Sequence, residues 1–311
     1  MDFALSPEAL ASGYRLVAFE RVGSTNAEAT ERARAGEAGP LWIVSGHQTL
    51  GRGRRGSAWQ TEPGNLAASL LLRLDLPPAT LATLGFVAGV ALVEALEGVT
   101  SPSGGVPSPL AGKGGLRVSE GRMRGRGRPG EPSSVTASPC HLLPQGEKGN
   151  AAPFTLKLPN DVLLDGAKLA GILLETEETA EGRAVVIGIG VNVAHAPEGL
   201  PYPAASLRGY GFDLTAADLF GALSASWLSA FARWDGGRGF PAVREAWLAR
   251  AQGLGAAITI RLPAGDVAGT FETLDGAGQL ILRRQDGTPL PVAAGEVHFG
   301  KVATARQEAA A

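Results

Sequence analysis

Three arginines and three glycines alternate in residues 51 to 59, which read Gly-Arg-Gly-Arg-Arg-Gly-Ser-Ala-Trp. Glycines let backbone N–H groups approach a bound anion, and guanidinium forks match carboxylate or phosphate oxygens. Such a loop suits an anionic ligand; a solvated basic loop is the plainer alternative. The stretch also reads G-x-G-x-x-G, but a dinucleotide fingerprint should open a helix. This chain instead continues into a turn at residues 61 to 64 and an apolar run at 65 to 74 resembling a buried strand. Three further polar groups fall at expected strand ends or tight turns: Ser24-Thr25-Asn26, Lys157 to Asp161 with Lys168, and Asn192. Gln48 leads into the glycine–arginine loop from the end of another strand.

The elements that must position these residues are set by pattern. Residues 14 to 19 and 41 to 46 read as strands, and Thr25 with Glu28 three later reads as a capping box opening a helix that stops at Gly36. Pro77 and Pro78 precede a long apolar helix over 81 to 96. Strands are expected at 154 to 158, 162 to 164, 168 to 175 and 184 to 193, with an Asp165-Gly166 hairpin turn between the second and third. The glycines of Gly188-Ile189-Gly190-Val191-Asn192 suggest a flat ligand lying against the backbone. Two helices come next, over 215 to 234 and 240 to 251. From 256 to 299, short strands separated by Asp-Gly turns predict a small β-barrel.

With 311 residues, 44% hydrophobic and 19% charged, the chain can bury one large domain and a small one. A net charge of -2 gives no overall sign of a nucleic-acid binder, so basic character is local. One cysteine, Cys140, forms no internal disulfide and suits a reducing cytoplasm; no signal segment is evident, and no apolar run is expected to span a bilayer.

Taken together, Gly-Ser-Thr-Asn at 23 to 26, Gln-x-x-Gly-Arg-Gly-Arg-Arg-Gly-x-x-Trp at 48 to 59, Pro-Asn-Asp at 159 to 161, Lys-Leu-Ala-Gly-Ile-Leu at 168 to 173 and Gly-x-Gly-x-Asn at 188 to 192 closely resemble the biotin protein ligases. The resemblance implies an α/β (α+β) fold: a class II synthetase-like mixed sheet with helices on one face, plus a small C-terminal SH3-like β-barrel. It places a catalytic domain at 1–253, the barrel at 254–303 and a tail at 304–311. It implies that biotin and ATP form biotinyl-5'-adenylate and pyrophosphate, and that biotin then passes to a lysine of the biotin carboxyl carrier protein of acetyl-CoA carboxylase. Lys168 and Arg54 take the catalytic roles. Ser24, Thr25, Asn26, Gln48, Arg52, Gly53, Arg54 and Lys168 are expected at biotin. Arg52, Arg54, Trp59, Asn160, Asp161, Lys168, Gly190 and Asn192 are expected at ATP, with Mg²⁺ on the phosphates and Asp161 a candidate metal ligand. A monomer or homodimer in the cytoplasm, with no DNA and no membrane, is expected, since no winged DNA-binding domain fits before Ser24. Leu158 stands where the family usually has tryptophan. Lipoate ligases share the fold and chemistry, but the arginine-rich signature points to biotin; a catalytically dead binding protein is the alternative from another class.

Residues 101 to 149 are dense in Gly, Pro, Ser and Arg, with Arg122, Arg124, Arg126 and Arg128 clustered, and show no helical or strand period. This composition predicts a disordered insertion. Replacing it with a short Gly/Ser linker is expected to leave biotin-dependent pyrophosphate exchange within about threefold of the parent, since loop closure costs only about 0.6 kcal/mol per doubling of length. A variant that forms adenylate yet fails to biotinylate its carrier would instead mark the segment as a docking element.

Overall fold

The computed structural model describes residues 2–59, 61–101, 153–262, 265–292 and 296–299. The predicted insertion, apart from Ser101, and the C-terminal tail lie outside the described residues. By chain contacts the protein divides into one unit of Met1–Gly105 with Ala152–Ala311 and a second of Val106–Ala151. The sheet, the helices and the cavity all belong to the first unit.

Seven strands form a mixed sheet: β1 (Arg15–Phe19), β2 (Leu41–Ser45), β3 (Leu66–Arg73), β4 (Phe154–Lys157), β5 (Asp161–Leu164), β6 (Ala167–Thr179) and β7 (Gly182–Val191). Their order is β1-β2-β3-β7-β6-β5-β4. The β1–β2 pair is parallel and every other pairing is antiparallel. Successive side chains point to opposite faces, so each strand serves two layers. The helices among the described residues are α1 (Pro7–Ala11), α2 (Thr25–Arg34), α3 (Pro78–Ala82), α4 (Leu84–Thr100), α5 (Leu207–Tyr210), α6 (Ala216–Trp234) and α7 (Phe240–Leu248). Trp42, Val44, Leu70, Leu72, Ile187 and Ile189 face a large core against α4, α6 and α7. Ile43, Leu71 and Val186 face the other way, onto Ala29 and Ala33 of α2 (Thr25–Arg34). Helices therefore cover both faces, not one as expected, because both sets of alternate strand positions are apolar in β2, β3 and β7.

Pro78–Thr100, 23 residues containing an 18-residue window of mean hydropathy 1.9, is long and apolar enough to cross a membrane by length and composition, contrary to the sequence expectation. In the fold most of this stretch is buried: α4 packs on α6, α7 and the sheet. Its apolar positions meet these neighbours, while Glu94 and Glu97 on the remaining face pair with Arg233 and Arg250.

At the start of α2 the cap differs from the expected Thr25–Glu28 box. Ser24 is the N-cap, its Oγ accepting from Ala27 N, while Glu28 pairs with Arg32. Thr25 is drawn away because its backbone N–H and hydroxyl both donate to Gln48 Oε1. The later helix α6 opens on a reciprocal cap that was not anticipated, Thr215 Oγ1 accepting from Asp218 N and Asp218 Oδ2 accepting from Thr215 N.

The C-terminal strands β8 (Ala257–Leu262), β9 (Gly265–Leu274), β10 (Leu280–Arg283), β11 (Pro289–Val292) and β12 (Glu296–Phe299) form an antiparallel sheet ordered β11-β10-β9-β8-β12. Its Phe271, Leu274 and Leu282 join the large core.

That core holds Trp227 against Trp42 edge-on, with its Nε1 donating to Tyr14 Oη at 3.0 Å; burial pushes the Tyr14 hydroxyl pKa above its ordinary value. Trp227→Ala is expected to cost about 3–5 kcal/mol, read from urea unfolding. A loss under about 1 kcal/mol would show that α6 is not anchored there.

Candidate active site

On the α2 face the sheet carries a patch almost without side chains. Ala67 of β3 lies opposite Gly190 of β7, Ser69 opposite Gly188, and Gly171 of β6 opposite Gly190 on its other side. With no bulk there, a cavity of about 1150 Å³ opens above the strands. Its walls come from the N-terminus of α2, the loop 51 to 59, the β5–β6 hairpin and the segment around Tyr202.

One end is built of neutral hydrogen-bonding groups. Gln48 Oε1 accepts from Thr25 N at 2.7 Å and from Thr25 Oγ1 at 3.0 Å, and Gln48 Nε2 donates to Thr61 Oγ1 at 3.2 Å. Buried Ser69 Oγ lies 2.7 Å from Thr25 Oγ1 and 2.6 Å from Asn26 Oδ1. Asn26 Nδ2 donates to Glu175 Oε2 at 2.7 Å. A Cβ on Gly188 would overlap the Asn26 amide, coming within 2.9 Å of Cγ, so this glycine is what allows Asn26 to lie against the strand.

The rest of the cavity is cationic. Arg52, Arg54, Lys157, Lys168 and Arg261 line it, against the single carboxylate, Asp161, among its described lining residues. The glycine–arginine loop folds on itself: Gly53 N donates to Ser57 O at 2.7 Å, Trp59 N donates to Gly51 O at 2.9 Å, and Arg54–Gly56 makes one 3₁₀ turn. This compact turn holds Arg52 and Arg54 at the cavity and lays the Trp59 indole on the bare floor. A Cβ on Gly171 would come 3.0 Å from the Trp59 ring, and one on Gly190 would overlap the indole. The flat group against the Gly190 backbone is thus the protein's own Trp59.

Lys168 Nζ pairs with Asp161 Oδ1 at 2.8 Å and sits 5.6 Å from the Trp59 ring and 5.5 Å from the Tyr202 ring. Its main chain is bracketed by Pro203 and Ala205, with Lys168 N donating to Pro203 O and Ala205 N to Lys168 O, both at 2.9 Å. Ammonium, carboxylate and two aromatic faces fix the charge in place.

Of the residues expected from sequence, Ser24, Thr25, Asn26, Gln48, Arg52, Gly53, Arg54, Trp59, Asn160, Asp161, Lys168 and Gly190 all line this one cavity. Asn160 also ties the hairpin, its Nδ2 donating to Ile172 O and its backbone carbonyl accepting from Ile172 N. Asn192 stands apart: it is buried, donates to Ala205 O at 3.1 Å, and borders an adjoining hollow of about 130 Å³ behind Trp59. Leu158, in the tryptophan position, is buried at the edge of the large cavity. Sequence reasoning missed Ser69, Glu175, Tyr202 and Arg261. Ser69 had a signal, a lone polar residue inside the apolar run 66 to 72; Arg261 had none beyond being the basic residue of β8.

Residues 18–192 match the Biotin/lipoate A/B protein ligase family, and 253–300 match the Biotin protein ligase C terminal domain. A biotin--[acetyl-CoA-carboxylase] ligase of Paracoccus denitrificans is 37% identical over 289 residues, 90% of this chain and 98% of that protein. The chain belongs to the biotin protein ligase family. A second such ligase, from Mycobacterium tuberculosis, is 29% identical over 92% of this chain and 90% of its own length. In fold, the ligase is similar to a biotin protein ligase from Aquifex aeolicus solved in complex with biotin and ATP, with a TM-score of 0.63 at 22% identity, covering 91% of this chain and 97% of that one.

Because the floor must stay bare, Gly188→Ala is expected to force the Asn26 side chain off Ser69 and Glu175. Biotin affinity, read by titration calorimetry, should fall at least about tenfold, a loss near 1.4 kcal/mol. An unchanged affinity would mean that Asn26 has no part in binding.

Proposed function

We propose that the ligase joins biotin to ATP and then transfers the biotinyl group to a lysine of a carboxylase carrier domain. What carries this reading is the two-ended cavity: a neutral hydrogen-bonding end at Thr25, Asn26 and Gln48, and an end with five cations and one carboxylate among the described residues. The neutral end suits the uncharged ureido ring of biotin, where buried polar partners discriminate strongly between ligands. The cationic end suits a carboxylate held beside a triphosphate.

In the first step a biotin carboxylate oxygen bonds to the α-phosphorus of ATP as the α–β bridging bond breaks, and pyrophosphate leaves. The two reacting anions repel by about 4 kcal/mol at 4 Å for an effective dielectric near 20. Arg52, Arg54 and Lys168 offset that repulsion, so catalysis here is positioning and charge stabilisation. In the second step a carrier lysine amine attacks the acyl carbon, AMP leaves, an amide forms and the amine proton is lost to solvent.

Mg²⁺ belongs to this scheme as part of the nucleotide substrate. Among the described residues no cluster of three His, Cys, Asp or Glu could hold a metal by itself. Trp59 and the Gly190 strand are assigned to the adenine side, Asn160 and Asp161 to the phosphates. Asn192 acts there only by bordering the small hollow. The antiparallel C-terminal sheet is read as the family's SH3-like module, at 254–303 after a catalytic domain at 1–253, and the enzyme is assigned to the cytoplasm with its carrier. The carrier is assigned to acetyl-CoA carboxylase, the acceptor named for the Paracoccus denitrificans relative.

The test is exchange of labelled pyrophosphate into ATP, run with biotin and with lipoate. Exchange with biotin alone is expected; exchange with lipoate alone would overturn the substrate assignment. Lys168→Ala should reduce exchange at least about 100-fold while shifting the urea midpoint little, because Lys168 stands at the cavity wall outside both hydrophobic cores.

A further inference from the structure

Glu175 lies on β6 outside the cavity lining, and belongs to none of the motif positions that carry the resemblance. Its two carboxylate oxygens nonetheless meet the two ends of the site. Oε2 accepts from Asn26 Nδ2 at 2.7 Å, and Oε1 lies 3.9 Å from the Arg52 guanidinium. A carboxylate only accepts hydrogen bonds, so the Asn26 amide must turn its NH₂ toward Glu175 and its carbonyl toward the Ser69 hydroxyl. That assignment decides which polarity the amide shows to a ligand. The contact to Arg52 is different in kind. It is too long for a hydrogen bond and partly exposed, so it holds the guanidinium near the wall without consuming its donors.

The geometry points to Glu175 as the positioning residue of this site: one oxygen orients the Asn26 amide for biotin, and the other steadies Arg52 of the glycine–arginine loop for the nucleotide. This role rests on the biotin-ligase reading. Glu175 touches neither substrate; it acts through the two residues that do. Its strand position fits the task, because β6 also carries Gly171 of the cavity floor and Lys168 of the wall. One rigid strand thereby registers floor, wall and both anchors.

The two oxygens are separated by substitution. Glu175→Gln keeps an acceptor for Asn26 but no charge for Arg52, whereas Glu175→Ala removes both. Pyrophosphate exchange is measured for each, with the KM for biotin and for ATP determined separately and urea midpoints as a folding control. Glu175→Ala is expected to raise the KM for biotin at least about tenfold with kcat within about threefold. Glu175→Gln should bring the biotin KM back within about threefold of the parent while the ATP KM stays raised about threefold or more. If Glu175→Ala does not fold, Glu175→Leu, which keeps the aliphatic stem, replaces it. A biotin KM unchanged by removal of the carboxylate, or no better in Gln than in Ala, overturns the role at Asn26; an ATP KM unchanged in Gln overturns the role at Arg52. Should the unaltered protein show no biotin-dependent exchange, the functional assignment falls instead, independently of Glu175.

Discussion

The site depends on a stretch of β-sheet stripped of side chains. Ala67, Ser69, Gly171, Gly188 and Gly190 fall in register on three adjacent strands. A sheet face normally stabilises the fold by burying alternate apolar residues against another layer. Here that burial is given up over the patch, and the opposite face supplies it: Trp42, Leu70, Ile187 and Ile189 pack into the helical core beneath the cavity. Along the same face, farther from the patch, Ile43, Leu71 and Val186 are covered by α2. The sheet is thus stabilised from below and used from above, and α2 marks the border by ending its apolar contact where its N-terminus meets the cavity.

Charge obeys the same division. The cations gathered over the bare patch would repel one another if left to themselves, and the carboxylates nearby are few and unequal in their hold. Asp161 grips Lys168 at 2.8 Å, whereas Glu175 stands 3.9 Å from Arg52. A pair at the shorter distance is hydrogen-bonded and fixes direction; the longer one fixes only neighbourhood. The lysine is therefore aimed by its partners, whereas the arginine is only held nearby.

Much of this was legible in the sequence, because motif residues are polar exceptions to apolar patterns. Gln48, Arg52, Trp59, Asp161 and Lys168 stood out at strand ends, and the cavity gathers all of them. Strand positions were legible from apolar runs, and the helix over 216 to 234 from its apolar period. What was not legible is what depends on partners far along the chain. Thr25 reads as a cap until Gln48, 23 residues on, takes its N–H. Glu175 reads only as the last residue of an expected strand until Asn26, 149 residues away, meets it. Glycines at 188 and 190 signalled close approach, but pattern alone could not say that the approaching groups are Asn26 and Trp59. The apolar helix over residues 84 to 100 likewise shows its role only once helices and sheet enclose it.

Trp59 lying on bare backbone has an optical consequence. Of the five tryptophans in the chain, Trp42, Trp227, Trp234 and Trp247 are buried in the helical core. They are shielded from whatever happens on the other face of the sheet and emit as a constant background. Trp59 alone is partly exposed, with a lysine ammonium near its ring and a cavity beside it. Any molecule that packs into the cavity against the open side of that indole changes its solvation and the charge it sees, so the protein carries one responsive intrinsic fluorophore, placed at the cavity wall.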